Sequence, residues 1–201
     1  DALISSMLEA SRLDAGVIAP KMEVFELNAL LAQLSLEFTA LAKDRQLDFR
    51  VVDTQQVIFS DPHLLRRILQ NFLSNAVRYT RSGRVLLGCR RRGNICRIEV
   101  WDTGPGIPAN KRREIFQEFR RLKTPEYDHA EQGLGLGLAI ADRTSRLLNQ
   151  PITLRSWVGH GSVFSLDVPI ADRSALEAPV VVMPISVPGG FAGCRVLCID
   201  N

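Results

Sequence analysis

The run SDPHLLRRILQNFLSNAVRY, residues 60–79, decides how the rest of the chain is read. It opens on Ser60-Asp61-Pro62, a capping side chain ahead of a proline of the kind the first turn of a helix accepts. From Leu64 to Tyr79 apolar residues then recur with helical period. Asn71 and Asn75 lie four apart, so both carboxamides leave one face of that helix, while Phe72, Leu73, Ala76 and Val77 address a core. Arg78 and Tyr79 follow within the next turn. A carboxamide oxygen is a hard ligand of the kind Mg2+ accepts. Taken alone, such a pair is more often solvent-facing, because asparagine is a mediocre helix former found wherever nothing prevents it. The flanking sequence has to supply the rest.

Upstream, Met22 to Leu27 alternates as a short strand, and Asn28 is expected to cap a helix whose Leu30, Leu31, Leu34, Phe38 and Leu41 share a face. Leu47–Val52 and Val57–Phe59 read as strands. Downstream, Val85–Arg91 and Ile95–Asp102 flank Gly93-Asn94 as a hairpin. A short helix is expected over Ala109–Phe116 and an amphipathic one over Gly137–Leu148. Ile152–Trp157 and Ser162–Val168 form a second hairpin about Gly159-His160-Gly161. Locally paired strands with helices between them predict an α+β fold, a two-layer sandwich of a mixed, largely antiparallel sheet covered on one face by three helices.

Two glycine-rich stretches lie at the ends of these elements. Asp102-Thr103-Gly104-Pro105-Gly106-Ile107 ends a strand on an acid and turns sharply. An ordinary tight turn accounts for such residues as well. An ionised carboxylate there can also accept from an exocyclic amine, while glycines let backbone approach a planar base. Gly133-Leu134-Gly135-Leu136-Gly137 precedes a helix, whose free N–H groups and dipole favour phosphate oxygens, which Arg78 would reach too. It lacks the Lys-Ser/Thr of a P-loop and the dinucleotide fingerprint.

The ordered set of Asn71 and Asn75, Asp102-x-Gly-x-Gly, Phe116-x-x-Phe119, Gly133-x-Gly-x-Gly and Gly159-x-Gly161-Ser162 resembles the ATP-binding domain of sensor histidine kinases over about residues 17–170. The resemblance implies the left-handed ATP-binding (Bergerat) sandwich shared with gyrase, mismatch-repair and heat-shock ATPases. It implies ATP and Mg2+ as ligands, with Asn75 holding the metal, Asn71 and Arg78 on the phosphates and Tyr79 beside the adenine. Asp102 becomes the acceptor for the adenine amine, with Gly104, Gly106 and Ile107 in its turn. Gly133, Gly135, Leu136, Gly137 and Ser162 complete the nucleotide set. Phe116 and Phe119 match the aromatic motif that anchors a lid over about 120–132. Hydrolytic members of the superfamily resemble one another in carrying glutamate at position 71 to activate water. Asn71 cannot act as that base, so Asn71 and Arg78 are expected to serve phosphoryl transfer by positioning, with Mg2+ stabilising charge.

The termini extend the resemblance. Residues 1–16, with Leu8 to Gly16, look like the end of a dimerisation helix whose phosphoacceptor histidine lies further upstream. None of His63, His129 and His160 has that helical context. The catalytic domain is expected over 17–171 and a Pro- and Gly-containing linker over 172–193. Residues 194–201 resemble the first strand and acidic corner of a receiver domain, which implies a hybrid kinase, homodimeric at full length. The isolated chain is expected to bind nucleotide without labelling itself. Two other readings remain: a degenerate domain used for docking or regulation, and a serine kinase of the anti-sigma type. Intact motifs argue against the first, and the leading helix and receiver-like tail against the second.

Composition sets the outer bounds. With 201 residues and 46% hydrophobic content the chain can bury one good core. A net charge of +3 suits an anionic small ligand and falls short of a nucleic-acid footprint. Arg90-Arg91-Arg92 with Arg97 reads as a solvated hairpin end, and Trp101 and Trp157 are expected to pack. Cys89, Cys96, Cys194 and Cys198 lack zinc-ligand spacing and read as reduced thiols. With no run of about 18 to 20 apolar residues and no signal-peptide pattern, the piece is expected to be cytoplasmic, without membrane contact of its own.

Overall fold

A computed structural model describes residues 19–120 and 135–176. The expected dimerisation helix over 1–16, most of the lid, His129, Gly133, Cys194, Cys198, the linker from 177 and the receiver-like segment lie outside the described residues.

Strand β1 (Glu23–Glu26) leads directly into helix α1 (Leu27–Asp44). Asn28 is not the cap. It lies inside the first turn, and its side-chain oxygen instead accepts from the backbone N–H of Thr54 at 3.1 Å, tying α1 to the loop between β2 (Asp48–Val51) and β3 (Val57–Ser60). Leu41 also departs from expectation. It is 48% exposed, and Ala42 takes the buried position on the face of Leu34 and Phe38.

Helix α2 (Pro62–Tyr79) begins as its sequence requires. Asp61 Oδ1 accepts from the N–H groups of His63 and Leu64, at 2.9 and 3.0 Å, which satisfies two donors the helix cannot pair internally. Strands β4 (Arg84–Arg92) and β5 (Ile95–Asp102) form the first hairpin. Two 3-10 turns, Ala109–Lys111 and Glu114–Phe116, replace the expected single short helix. Between them the Arg112 guanidinium bonds the carbonyls of Ile107 and Ser156, which holds this stretch against the neighbouring hairpin. Helix α3 (Gly137–Leu147) and strands β6 (Ile152–Trp157) and β7 (Gly161–Pro169) complete the domain. Beyond them Arg173–Leu176, expected to be linker, forms a 3-10 turn whose Arg173 pairs with Glu26.

The main sheet has the order β2-β4-β5-β7-β6, with β2 parallel to β4 and every other pairing antiparallel. Strands β1 and β3 form a separate two-stranded sheet, joined to the end of β7 by an Ile58–Ile170 bridge. Cross-strand register aligns Leu87, Val100, Phe164 and Leu154 on the helix side. Against them pack Leu65, Ile68, Leu69, Phe72 and Leu73 of α2, all at 0% exposure. The Phe72 and Phe164 rings stack at 5.2 Å. Truncating Phe72 to alanine would cost about 3–5 kcal/mol by transfer and cavity terms. Burial on this scale fixes the face of α2 that does not pack, and that face carries Asn71 and Asn75.

Among the described residues the other sheet face carries no helix, and it departs from one expectation. Trp101 and Trp157 are 38% and 49% exposed there rather than packed in the core. Arg90, Arg91 and Arg92 are exposed at the hairpin end, as expected; Arg90 also pairs with Glu99, and the more covered Arg97 with Asp167, because neighbouring strands bring a carboxylate beside each. Cys89 and Cys96 are free thiols, as expected.

Candidate functional site

The site lies where the last turns of α2, the end of β5 and the start of α3 converge. Asp102 is the last residue of β5, and register sets it opposite Val85 of β4 and Ser162 of β7. Its Oδ1 accepts from the N–H of Gly104 at 2.9 Å and of Ser162 at 3.2 Å. Among the described residues nothing donates to Oδ2. Burial raises the Asp102 pKa above the usual carboxylate range, and the Gly104 and Ser162 donors oppose that rise without cancelling it. The result is a partly buried acceptor with one oxygen occupied and one available.

Close packing of backbone fixes this end. A Cβ on Gly161 would sit 1.9 Å from the Asp102 carbonyl oxygen, and one on Gly106 would sit 2.0 Å from that of Trp157. Both glycines also have positive φ, +104° and +71°, which side-chain-bearing residues rarely adopt. Ser156 locks the turn. Its hydroxyl accepts from the Ile107 N–H at 2.6 Å and meets the Ser162 hydroxyl at 3.0 Å. Ser162 therefore orients Asp102 through its backbone while its own side chain is held by Ser156. Ile107 packs on the core from inside the turn.

Thr80, which follows Tyr79, was not anticipated. Its hydroxyl is buried with no partner among the described residues, and it lies 3.3 Å from where a Gly104 Cβ would stand, beside Asp102. A buried hydroxyl left unpaired costs about 1–3 kcal/mol. The sequence signal is only its position, one residue beyond the helix and polar where a core residue would fit.

The second end is built differently. The Asn71 side-chain amide donates to the Arg67 carbonyl at 3.1 Å, one turn back, which fixes which way its oxygen turns. That oxygen lies 2.7 Å from the position a Gly137 Cβ would take, so Asn71 and the first residue of α3 touch only because position 137 is glycine. Asn75, one turn further along α2, makes no hydrogen bond among the described residues. The N-terminus of α3 has no side-chain cap: Leu136 occupies the capping position and no acid lies in the first turn. Gly135, at φ +70°, receives the N–H of Phe119 at 3.1 Å.

Phe116 and Phe119 separate in role. Phe116 packs edge-on to Phe164 at 6.4 Å, whereas Phe119 is 59% exposed with φ +58° and is held by its backbone. Glu118 pairs with Arg143 of α3, a tie across the two ends of the expected lid that spacing alone does not reveal. Arg78 and Tyr79 end α2, half-buried and on the same side as the Asn pair. A shallow polar hollow lined by His63, Arg67, Gln70, Asn71 and Ser74 continues the Asn stripe toward the start of α2.

Comparison with known proteins gives the family. The family described as histidine kinase-, DNA gyrase B- and HSP90-like ATPase matches residues 60–172. The chain is 36% identical over 187 residues to the circadian input-output histidine kinase CikA of Synechococcus elongatus, covering 90% of this chain and 24% of that protein. An uncharacterised sensor-like histidine kinase of Rhizobium meliloti, R01002, is 30% identical over 188 residues, covering 90% of this chain and 36% of its own. The chain thus spans about a quarter to a third of these relatives. Full-length ShkA in complex with AMPPNP superposes with a TM-score of 0.73 at 30% identity, over 85% of this chain and 35% of that one. The catalytic domain of the histidine kinase ThkA, in a nucleotide-free form, gives 0.63 at 25%, over 74% and 95%.

Proposed function

Because the chain belongs to the histidine kinase-, DNA gyrase B- and HSP90-like ATPase family, we propose that its cleft binds Mg-ATP as the donor half of a protein histidine kinase in two-component signalling. The γ-phosphoryl group passes to a histidine on a dimerisation domain. The observation that carries the reading is Asp102. Its Oδ1 is engaged by two backbone donors and its Oδ2 is left for a donor from outside, which is what an adenine amine supplies. The Thr80 hydroxyl, which has no partner among the described residues, and the close approach of Gly137 to Asn71 Oδ1 fit the same ligand, because each places a polar group at the margin of the cleft.

Asn71, Arg78 and the uncapped N-terminus of α3 bind and orient the phosphates, and Tyr79 lies beside the base. Gly104 and Gly106 admit the base, and Gly135 and Leu136 lead the backbone to the phosphates; Gly133, expected in the same set, lies outside the described residues. Asn75 holds Mg2+ through its carboxamide oxygen. The metal, when bound, neutralises charge on the phosphate oxygens. Among the described residues no group of three or more His, Cys, Asp or Glu could hold a metal by itself, which suits an ion whose other ligands would be phosphates and water. Position 71 offers no carboxylate to activate water, which favours transfer over hydrolysis.

The catalytic domain occupies 17–171, the segment before it belongs to the dimerisation helices, and 194–201 opens a receiver domain of a homodimeric hybrid kinase that works in the cytoplasm. No described helix is long and apolar enough to cross a membrane. The parent protein incubated with γ-labelled ATP is expected to carry acid-labile, alkali-stable label on histidine, lost on Asp102→Asn, while the 201-residue chain binds nucleotide and takes none. Acid-stable label would mean serine transfer, and ATP binding without any label would leave only a docking or regulatory role.

A further inference from the structure

The sheet face turned away from the helices carries an aromatic ridge with no role in the cleft. Register lines up Leu86, Trp101, Val163 and Arg155 across four strands, with Trp157 two residues beyond Arg155 on the same side of β6. The Arg155 guanidinium carbon lies 5.8 Å from the Trp101 ring and 5.9 Å from the Trp157 ring, so one cation braces both indoles. Glu99 fixes the base of the ridge. It is 6% exposed and accepts from Trp101 Nε1–H at 3.1 Å and from Arg90 at 2.5 Å. Trp101, Trp157 and the adjoining Val158 are nevertheless 38%, 49% and 64% exposed. Braced aromatic side chains left open on a sheet face mark an interaction surface.

The sequence supplies an occupant. From Ala178 to Cys194 there is no charged residue, and the run contains Val180-Val181-Val182, Ile185 and prolines at 179, 184 and 188. Linkers that stay in water are charged or rich in glycine and serine, whereas this one is apolar for most of its length. Extended proline-containing segments dock on exposed aromatic rings because little conformational entropy remains to be lost. Reach is sufficient. The described chain leaves at Leu176, and the nine residues to Ile185 span about 30 Å when extended. The stretch of β7 from Pro169 back to Val163 is about 20 Å. Nor does docking bury an unpaired charge, since Arg90 and Arg155 both lie against Glu99, at 2.5 and 3.9 Å, and Arg97 pairs with Asp167.

We propose that the linker segment 178–188 docks on the ridge of Trp101, Arg155 and Trp157, on the sheet face opposite the helices. The linker then acts as a fixed strap that sets where residues after 188 stand relative to the catalytic domain. The sequence contains only these two tryptophans, so intrinsic fluorescence reads the ridge directly. In the full 201-residue chain, Val181→Asp combined with Ile185→Asp is expected to move tryptophan emission to longer wavelength and raise quenching by acrylamide, with an unchanged thermal unfolding transition. The difference should be independent of protein concentration. Identical emission and quenching in the two chains would overturn the proposal. So would a difference that disappears on dilution as the molar mass falls from dimer to monomer, because the occupant would then be a second copy.

Discussion

The two ends of the cleft are held by different physics. Around Asp102 the backbone is already closed: glycines 106 and 161 lie against carbonyl groups where no Cβ fits, and Ser156 and Ser162 tie the turn together. Around Asn71 and Asn75 the groups are gathered but, among the described residues, only partly satisfied: Asn71 donates to Arg67, Asn75 makes no hydrogen bond, the start of α3 has no side-chain cap, and the contact of Asn71 with Gly137 depends on the absence of one methyl group. On the proposed reading, the contrast teaches that the backbone of the base-reading end is part of the fold, whereas the phosphate end is completed by its ligand. Changes to the packed backbone of the first should register as stability, and changes to groups that meet the ligand, Asp102 Oδ2 included, as affinity.

The largest expected effect is structural. Gly161→Ala should destabilise the domain by about 3 kcal/mol or more, read by denaturant unfolding, because both the positive φ and the 1.9 Å approach to Asp102 have to be relieved. A normally stable Gly161→Ala protein would break the comparison. Next, Asp102→Asn should lower affinity for AMPPNP about a hundredfold by calorimetric titration, as a donor replaces the charged acceptor. The same variant should keep its stability, since an Asn oxygen still accepts from Gly104 and Ser162 while the cost of burying charge disappears.

Acidity sharpens the same point. The Asp102 pKa is raised in the folded chain, chiefly by burial. Its contribution to stability is therefore complete below the unfolded value of about 3.9 and lost as pH rises through the folded value. Nucleotide binding runs the other way. It needs the ionised form, so affinity should fall as pH drops through the raised value, and Asp102→Asn should abolish that pH dependence of affinity.

Smaller effects belong to the phosphate end and to Thr80 beside Asp102. Gly137→Ala should leave stability unchanged or raise it by up to about 1 kcal/mol through helix propensity. It should weaken nucleotide binding about tenfold by pushing on Asn71 Oδ1. Thr80→Val should raise stability slightly and lower affinity less than tenfold, because it removes a buried hydroxyl that no described residue satisfies and that the proposed ligand would.

Much of this was legible in sequence because it rests on local rules. The cap and proline at 61 and 62, the period of α2 and the two hairpins follow from local chemistry, and burial of Phe72 and Leu73 left Asn71 and Asn75 on the other side. Features that depend on distant residues were not legible. Asn28 looks like a cap until Thr54 is seen beside it. Leu41 fits the helical stripe but overshoots the core at the end of α1. Trp101 and Trp157 have core-like chemistry but fall on the uncovered face because register, not hydrophobicity, assigns them there. Thr80 becomes significant only when Asp102 and Gly104 close around it.

Amide hydrogen exchange of the 201-residue chain, free and with Mg-AMPPNP, tests the two-ended cleft most directly. The N–H groups of Gly104 and Ser162 should already be protected in the free chain, because both bond Asp102 Oδ1. Added protection should concentrate at the start of α3, residues 137–139, whose N–H groups have no side-chain cap. Protection that appears first at 104 and 162, with α3 unchanged, would contradict the account.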